Sequence, residues 1–178
     1  MKCFPLIPVI ACLFVMCGIV GCEQQPANTN DNDAANTIRI GVIGKSQSNA
    51  VFQAAYRGAL DAAEKLGPEY GVKVEILWQT PTDEDPQKQA QFIEQLAREG
   101  VQGIAVSVSH AQTVTPAIDK AVELGSQVIC FDSDAPDSKR LCFYGTDDTD
   151  CGTRVMQELA SAMNDTGTIA ILAGNQAA

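Results

Sequence analysis

The fold is decided by residues 100–132, GVQGIAVSVSHAQTVTPAIDKAVELGSQVICFD. An apolar strand at 103–108 is followed by a helix and then by a second apolar strand at 127–131. The helix between them carries one apolar stripe, at Val114, Ala117, Ile118, Ala121 and Val122. Ser109 and Gln112 predict a capping box at its start, and Gly125 predicts its end. This strand–helix–strand pattern is typical of a parallel sheet.

The same unit repeats on both sides of this stretch. The other predicted strands cover 38–43, 72–78, 141–144 and 168–172. The other predicted helices cover 50–66, ended by Gly67-Pro68; the segment from Asp85-Pro86 to Gly100; and 149–164. Short apolar strands that alternate with helices predict an α/β fold: a doubly wound parallel sheet with helices on both faces.

Composition and charge restrict the classes of function. Of 178 residues, 12 are Lys or Arg and 22 are Asp or Glu, so the formal net charge is −10. A nucleic-acid partner requires a basic surface, and this balance argues against one. The chain has a single His, His110, and no Cys/His cluster with metal-ligand spacing, so no metal site is predicted. His110 is expected at a helix start, as a surface or capping residue.

The N-terminus has the pattern of an export signal. Residues 1–21 hold one Lys and then an uncharged apolar run, which is typical of a signal peptide. The run ends in Ile19-Val20-Gly21-Cys22, which resembles a bacterial lipobox, and the alternative is an ordinary signal peptide with a chance Cys. We therefore expect Cys22 to be lipidated and 22–36 to be a flexible tether. The expected location is the cell envelope, anchored by lipid and facing the periplasm.

Polar side chains gather where the predicted strands end. Open α/β sheets bind ligands outside the carboxyl ends of their strands. The side chains expected there include Lys45, Asn49, Phe52, Asp132, Ser133 and Asp134. Carboxylates match the hydroxyls of a sugar, and a Phe ring offers a flat face to its C–H side. The alternatives are loop capping for the two Asp, a solvated Lys45 and core packing for Phe52.

No pattern of a catalytic site accompanies these residues. The chain lacks a phosphate-binding loop with Gly-Lys-Ser/Thr, a Gly-x-Ser-x-Gly elbow and any base–nucleophile pair that can be named. The sequence therefore favours a binding protein over an enzyme. The cysteines beyond the tether, Cys130, Cys142 and Cys151, are expected to be mostly buried small residues, with a Cys142–Cys151 disulfide left open.

Several stretches carry a family resemblance. They are 40–43 leading to 49–52, 85–91, 100–104, 116–121, 128–134 and 145–152. Together they resemble the periplasmic sugar-binding proteins of the ribose-binding type, the type I solute-binding fold shared with the ligand domain of lactose-repressor-like regulators. That family has two similar lobes that close on a ligand. The resemblance implies a first lobe at 37–142, and at 143–178 a crossover and the start of an incomplete second lobe.

The resemblance also implies a function. It implies the substrate-binding component of a sugar ABC transporter, which binds a monosaccharide or small polyol between its lobes, docks on a membrane permease and needs no cofactor. The alternatives are a sensory or regulatory sugar-binding domain of the same fold, or an exported α/β enzyme that acts on sugars.

Individual roles follow from the matching positions. Asn49, Phe52 and Asp132 match ligand-binding positions of the ribose type, and Asn175 falls at the first strand end of the second lobe. Ser133 departs from the Arg of ribose binders. Together with Lys45 and Asp134 it is similar to the rhamnose and quorum-signal branch of the family.

Overall fold

The computed structural model of the chain describes residues 36–172, and within them strands and helices alternate as the sequence predicts. The elements are β1 (Thr37–Ile43), α1 (Ala50–Glu69), β2 (Lys73–Trp78), α2 (Pro86–Arg98), β3 (Gly103–Val106), α3 (Ala111–Glu123), β4 (Gln127–Phe131), β5 (Cys142–Tyr144) and α4 (Asp148–Ala162). None of the helices in this part of the chain is both long enough and apolar enough to cross a lipid bilayer.

The strands form one sheet in the order β2-β1-β3-β4-β5, and every pair in it is parallel. Neighbouring residues of a strand point to opposite faces, and β2 shows what covers each face. Leu77 packs against the main core, which includes residues of α2 and α3. Trp78 stacks on Tyr56 of α1, with the ring centroids 4.7 Å apart. Helices therefore lie on both faces, which confirms the doubly wound α/β sheet.

The main core lies between the sheet and the helices α2 and α3, which pack against each other. Ile93 and Leu96 of α2 and Ile118 of α3 are fully buried there. Complete burial of such a side chain contributes about 1.5–3 kcal/mol. The apolar stripe predicted for α3 is confirmed. The core consequently holds α2 and α3 against one face of the sheet.

The other face of the sheet is covered unevenly. One row across it runs from Trp78 through Val42 to Ile129 and Cys142, as the strand registers show. Val42 is buried, Ile129 is only partly buried and Cys142 is exposed. Cys130, on the opposite face, is buried, whereas Cys151 is exposed, and all three thiols are free. The expectation that these cysteines are mostly buried is therefore wrong, because Cys142 lies on the uncovered side of edge strand β5.

The end of α1 differs from the prediction. The helix does not stop at Gly67-Pro68; it continues to Glu69, and the left-handed residue that follows it is Gly71, with φ of 65°. Pro68 is tolerated because it removes a single N–H in the last turn. Gly67 serves a different purpose, since a Cβ there would lie 2.8 Å from the carbonyl oxygen of Val72. Its small size allows α1 to approach β2 closely.

The start of α3 also differs. Ser109 does not form a capping box with Gln112, because the helix begins at Ala111 and His110 occupies the N-cap position. The backbone N–H of Ser109 donates instead to Oε1 of Gln89, which holds Ser109 outside the helix. The His110 ring nitrogen Nδ1 lies 2.9 Å from Oγ1 of Thr113, so the expectation of a helix-start His is confirmed.

The strand predicted at 168–172 is absent. These residues are described without regular structure, and Ile171 and Leu172 are exposed. A strand is stabilised by hydrogen bonds to a neighbour, and among residues 36–172 no strand pairs with this segment. The predicted boundary between the lobes at 142 and 143 falls inside β5, which pairs with β4. The division into two lobes stays a prediction.

Candidate functional site

The candidate site lies at the carboxyl ends of β1, β3 and β4, where three loops meet. A cavity of about 520 Å³ opens at this edge. Its walls come from the segment 108–112, from Asp132, Ser133 and Asp134, and from Phe143, Thr146 and Asp148. The edge at which an open α/β sheet binds its ligands therefore holds a cavity in this chain.

Asp132 has an unusual backbone conformation. It has φ of 61°, in the left-handed region, and the N–H of Ser133 donates to the carbonyl oxygen of Phe131 at 2.6 Å. A hydrogen bond across one residue with positive φ is the pattern of a strained γ-turn. The Asp132 N–H also donates to the carbonyl oxygen of Tyr144 at 3.1 Å, which ties the turn to β5. Such strain costs about 1–3 kcal/mol and is concentrated at functional sites.

The Asp132 carboxylate is engaged on one side only. Its Oδ2 accepts a hydrogen bond from Oγ of Ser107 at 2.7 Å and lies 3.4 Å from Oγ of Ser133. Nζ of Lys45 is 3.9 Å from the same oxygen. Every hydrogen bond and ion pair of this carboxylate within the described residues goes to Oδ2, and the side chain is 44% exposed. Oδ1 is consequently placed to accept hydrogen bonds from a ligand.

Lys45 is brought to this carboxylate by the loop after β1. Its side chain is only 16% exposed, so its ammonium group is held against the strand ends. An ion pair with a half-exposed Asp contributes little to stability. The ammonium group supplies hydrogen-bond donors beside an acceptor, which suits a ligand that carries several hydroxyl groups.

Asp134 has a different environment from Asp132. Both of its oxygens accept from the Arg140 guanidinium, at 2.5 and 2.6 Å, and Oδ1 also accepts from the N–H of Ala135 at 2.8 Å. Burial acts to raise the pKa of Asp134, but the hydrogen bonds from Arg140 and Ala135 outweigh it, so this pKa lies below its usual value. The geometry favours a structural ion pair, and the ligand-binding role of Asp134 stays a prediction.

The structure does not bring Asn49 and Phe52 into the group around Asp132. Oδ1 of Asn49 accepts from the N–H of Val51 at 2.9 Å, which caps α1. Phe52 is 3% exposed, and a Cβ at Gly44 would lie 2.8 Å from it, so its ring packs beneath the loop after β1. Val51, by contrast, is exposed. The binding roles of Asn49 and Phe52 stay predictions, and Asn175 lies outside the described residues.

Two buried polar side chains at this edge were missed by the sequence reasoning. Oγ1 of Thr80 accepts from the N–H of Gly44 at 2.8 Å. Gln89 lies fully buried on the face of α2 that also holds Ile93 and Ala97. The sequence does carry a signal for Gln89, because this polar residue stands at the helical spacing of the apolar residues that face the core. Within residues 36–172, no three His, Cys, Asp or Glu side chains are grouped so that they could hold a metal ion.

Comparisons with known proteins show the family of the chain and similar folds. A family model described as "Periplasmic binding protein domain" matches residues 40–178. An ABC transporter solute-binding protein from Burkholderia graminis, solved in complex with D-arabinose, is 28% identical, with a TM-score of 0.61 over 73% of this chain and 43% of that protein. AraP, an arabinose-binding protein from Geobacillus stearothermophilus, is 28% identical, with a TM-score of 0.62 over 74% of this chain and 43% of AraP.

A third similar structure is the sugar-binding protein of a sugar ABC transporter from Bacillus halodurans. It is 25% identical, with a TM-score of 0.58 over 74% of this chain and 42% of that protein. The chain therefore spans less than half the length of each of these three structures.

Proposed function

The chain belongs to the periplasmic binding protein domain family, and on that premise we propose that it is the substrate-binding component of a sugar ABC transporter. The ligand is a monosaccharide or a related small polyol, bound at the edge formed by the ends of β1, β3 and β4. The three similar structures are of ABC transporter or sugar-binding proteins, which supports the assignment.

The observation that carries the proposal is the arrangement around Asp132. The Asp132 carboxylate lines the cavity and keeps Oδ1 uncommitted, and the ammonium group of Lys45 lies 3.9 Å from its Oδ2. The hydroxyl of Ser107 is buried and holds Oδ2 in place. Acceptors and donors at this spacing match vicinal hydroxyl groups, which both donate and accept hydrogen bonds. Nothing in this arrangement activates a nucleophile, so the role that it supports is binding.

Binding would be coupled to closure of two lobes. The segment after β5, near Tyr144 and Thr146, is where the chain leaves the sheet, and Thr146 also lines the cavity. A ligand that contacts both lobes stabilises the closed form by its differential affinity for that form. In this proposal the closed form docks on a membrane permease.

Family membership implies a periplasmic or extracellular location, and we propose that lipidated Cys22 anchors the protein to the membrane. Changing Cys22 to Ser removes the thiol that carries the lipid, and we expect the protein to move from the membrane fraction to the soluble fraction. The matched control is Cys12→Ser, which lies earlier in the predicted signal peptide. Retention of the Cys22→Ser variant in the membrane fraction contradicts lipid anchoring.

The test of sugar binding is a thermal-shift screen on the complete gene product. The panel contains D-arabinose, L-arabinose, D-ribose, D-xylose, D-galactose and L-rhamnose, and hits are measured again by isothermal titration calorimetry. We expect at least one sugar to raise the melting temperature without being consumed. Turnover of the sugar in the same samples would instead favour an enzyme, and no binding across the panel contradicts the proposed ligand class.

A further inference from the structure

Gln89 is a fully buried polar side chain that lies where two loops of the candidate site meet. It projects from α2 at the second turn, and it does not line the cavity. A buried amide requires partners for its donors and its acceptor, since unpaired polar groups are costly in the interior. The partners of Gln89 therefore show what the side chain holds in place.

Those partners belong to two different loops. Nε2 donates to the carbonyl oxygen of Gly44 at 3.0 Å and to that of Ser107 at 2.8 Å. Oε1 accepts from the backbone N–H of Ser109 at 2.9 Å. Both amide hydrogens are used, one toward the loop after β1 and the other toward the loop after β3. One side chain thus connects these two loops.

The connected residues adjoin the binding group around Asp132. Gly44 immediately precedes Lys45, and the hydroxyl of Ser107 donates to the Asp132 carboxylate. We propose that Gln89 is a positioning residue of the binding site. It fixes Lys45 at its distance from Asp132 and Ser107, and so sets the affinity for a polyhydroxylated ligand without touching that ligand. The affinity part of this inference rests on the proposed function.

The chemistry of glutamine is required for this role. Glutamate at this position would replace the donating NH2 group by an oxygen, which would face the two carbonyl oxygens. Methionine would fill the space without any strong hydrogen bond. Both variants leave the carbonyl groups of Gly44 and Ser107 without their amide partner. The two loops would then be joined only next to the strands, where the N–H of Ser107 donates to the carbonyl oxygen of Ile43 at 2.9 Å. Beyond that point Gln89 would no longer hold them together.

The test uses the variants Gln89→Met and Gln89→Glu in the complete gene product, with two controls. Gln91→Met changes an exposed glutamine of the same helix. Ile93→Val, one helical turn after Gln89, changes a fully buried residue of α2 that makes no hydrogen bond to the loops, so it lowers stability alone. Affinity is measured with the sugar that binds in the panel, well below the melting temperature of every variant.

We expect Gln89→Met to weaken sugar binding by about tenfold, which corresponds to about 1.4 kcal/mol, because Lys45 and Asp132 would no longer be held at the spacing of the ligand's hydroxyl groups. Gln89→Glu should weaken it at least as much, because its carboxylate repels the two carbonyl groups. Ile93→Val and Gln91→Met should bind within about twofold of the parent. Equal affinities for Gln89→Met and Ile93→Val would overturn the inference, because Gln89 would then act only on stability.

A second measurement needs no ligand. We expect the ¹³C resonance of the Asp132 carboxyl carbon and the ¹⁵N resonance of Lys45 Nζ to move in Gln89→Met and to stay in place in Ile93→Val. Unmoved resonances in Gln89→Met contradict the positioning role even where sugar binding has been found. If no sugar binds the parent protein, the proposed function fails, and the resonances alone decide whether Gln89 positions these groups.

Discussion

The change Asp132→Asn tests the candidate site most directly, because it removes one charge and keeps the shape of the side chain. Asn tolerates the left-handed conformation that Asp132 adopts, so the turn should persist. The amide oxygen of Asn can still accept the hydrogen bond from Ser107. We therefore expect the folded structure to survive this substitution.

The loss of stability is limited by the distance to Lys45. At 3.9 Å the attraction between two unit charges is about 1 kcal/mol in water and about 4 kcal/mol at an effective dielectric constant of 20. The Asp132 side chain is 44% exposed, so the lower figure applies, and measured pairs of this kind contribute about 0–1 kcal/mol. Asp132→Asn also gives the hydroxyl of Ser107 a neutral acceptor in place of a charged one, which costs about 1 kcal/mol more, so the free energy of unfolding should fall by about 1–2 kcal/mol.

The loss of affinity has the same physical origin as the loss of the charged acceptor for Ser107. A hydrogen bond from a ligand hydroxyl to a charged acceptor contributes about 1.5–3 kcal/mol, against about 0.5–1.5 kcal/mol for a neutral acceptor. The difference is close to the 1.4 kcal/mol that corresponds to a factor of ten. We therefore expect the dissociation constant for the bound sugar to rise about tenfold or more. Isothermal titration calorimetry measures this rise, and urea unfolding measures the stability of the same sample.

Asp134→Asn is the matched control, since it makes the same change two residues away. Its carboxylate is committed to Arg140, and the amide oxygen of Asn can still accept one of those hydrogen bonds, so this variant should lose stability but weaken sugar binding less than Asp132→Asn does. The opposite pattern, in which Asp132→Asn binds like the parent and Asp134→Asn does not, would show that the ligand uses Asp134. If neither variant alters affinity, the ligand binds elsewhere and the reasoning is refuted.

Two further predictions concern pH and thiol chemistry. Because the pKa of Asp134 is lowered in the folded state, its pairing with Arg140 stabilises the protein above about pH 4 and loses this effect as the pH falls through the lowered pKa. Urea unfolding should show a larger stability gap between parent and Asp134→Asn at pH 7 than at pH 3, and an equal gap contradicts the assignment. Burial raises the pKa of the Cys130 thiol to about 11, so iodoacetamide at pH 8 should label exposed Cys142 and Cys151 first. Mass spectrometry locates the labels, and labelling of Cys130 before unfolding contradicts its burial.

The fold was predictable from the sequence where the signals are local. The side chain of Asp85 caps α2 by accepting from the N–H of Lys88, and Gly100 follows the helix in a left-handed conformation. Both signals act within a few residues, so the prediction and the structure agree there. Gly67 failed as a helix stop because its small size serves contact with β2, and Ser109 failed as a cap because Gln89 takes its N–H. Both errors come from contacts between residues distant in the sequence.

The same distinction applies to the candidate site. The rule that ligands bind at strand ends predicts that Lys45 and Asp132 lie at one edge of the sheet. The structure places Nζ of Lys45 3.9 Å from Oδ2 of Asp132. The rule does not say which of two nearby carboxylates is free. That depends on Arg140, six residues beyond Asp134, whose side chain returns to pair with it. Phe52 is likewise buried by its contact with Gly44, which no helical pattern reveals.

These contacts together explain why a strained residue can persist at the site. Left-handed Asp132 costs free energy, and such a conformation is retained only where the surroundings fix it from several sides. Its N–H is held by Tyr144 on β5, and the carbonyl oxygen of Ser133 accepts from Val108 of the loop after β3. The ion pair between Asp134 and Arg140 holds the end of the turn. Because these neighbours hold the backbone, the Asp132 carboxylate need not stabilise its own loop. Its Oδ1 can therefore accept hydrogen bonds from a ligand.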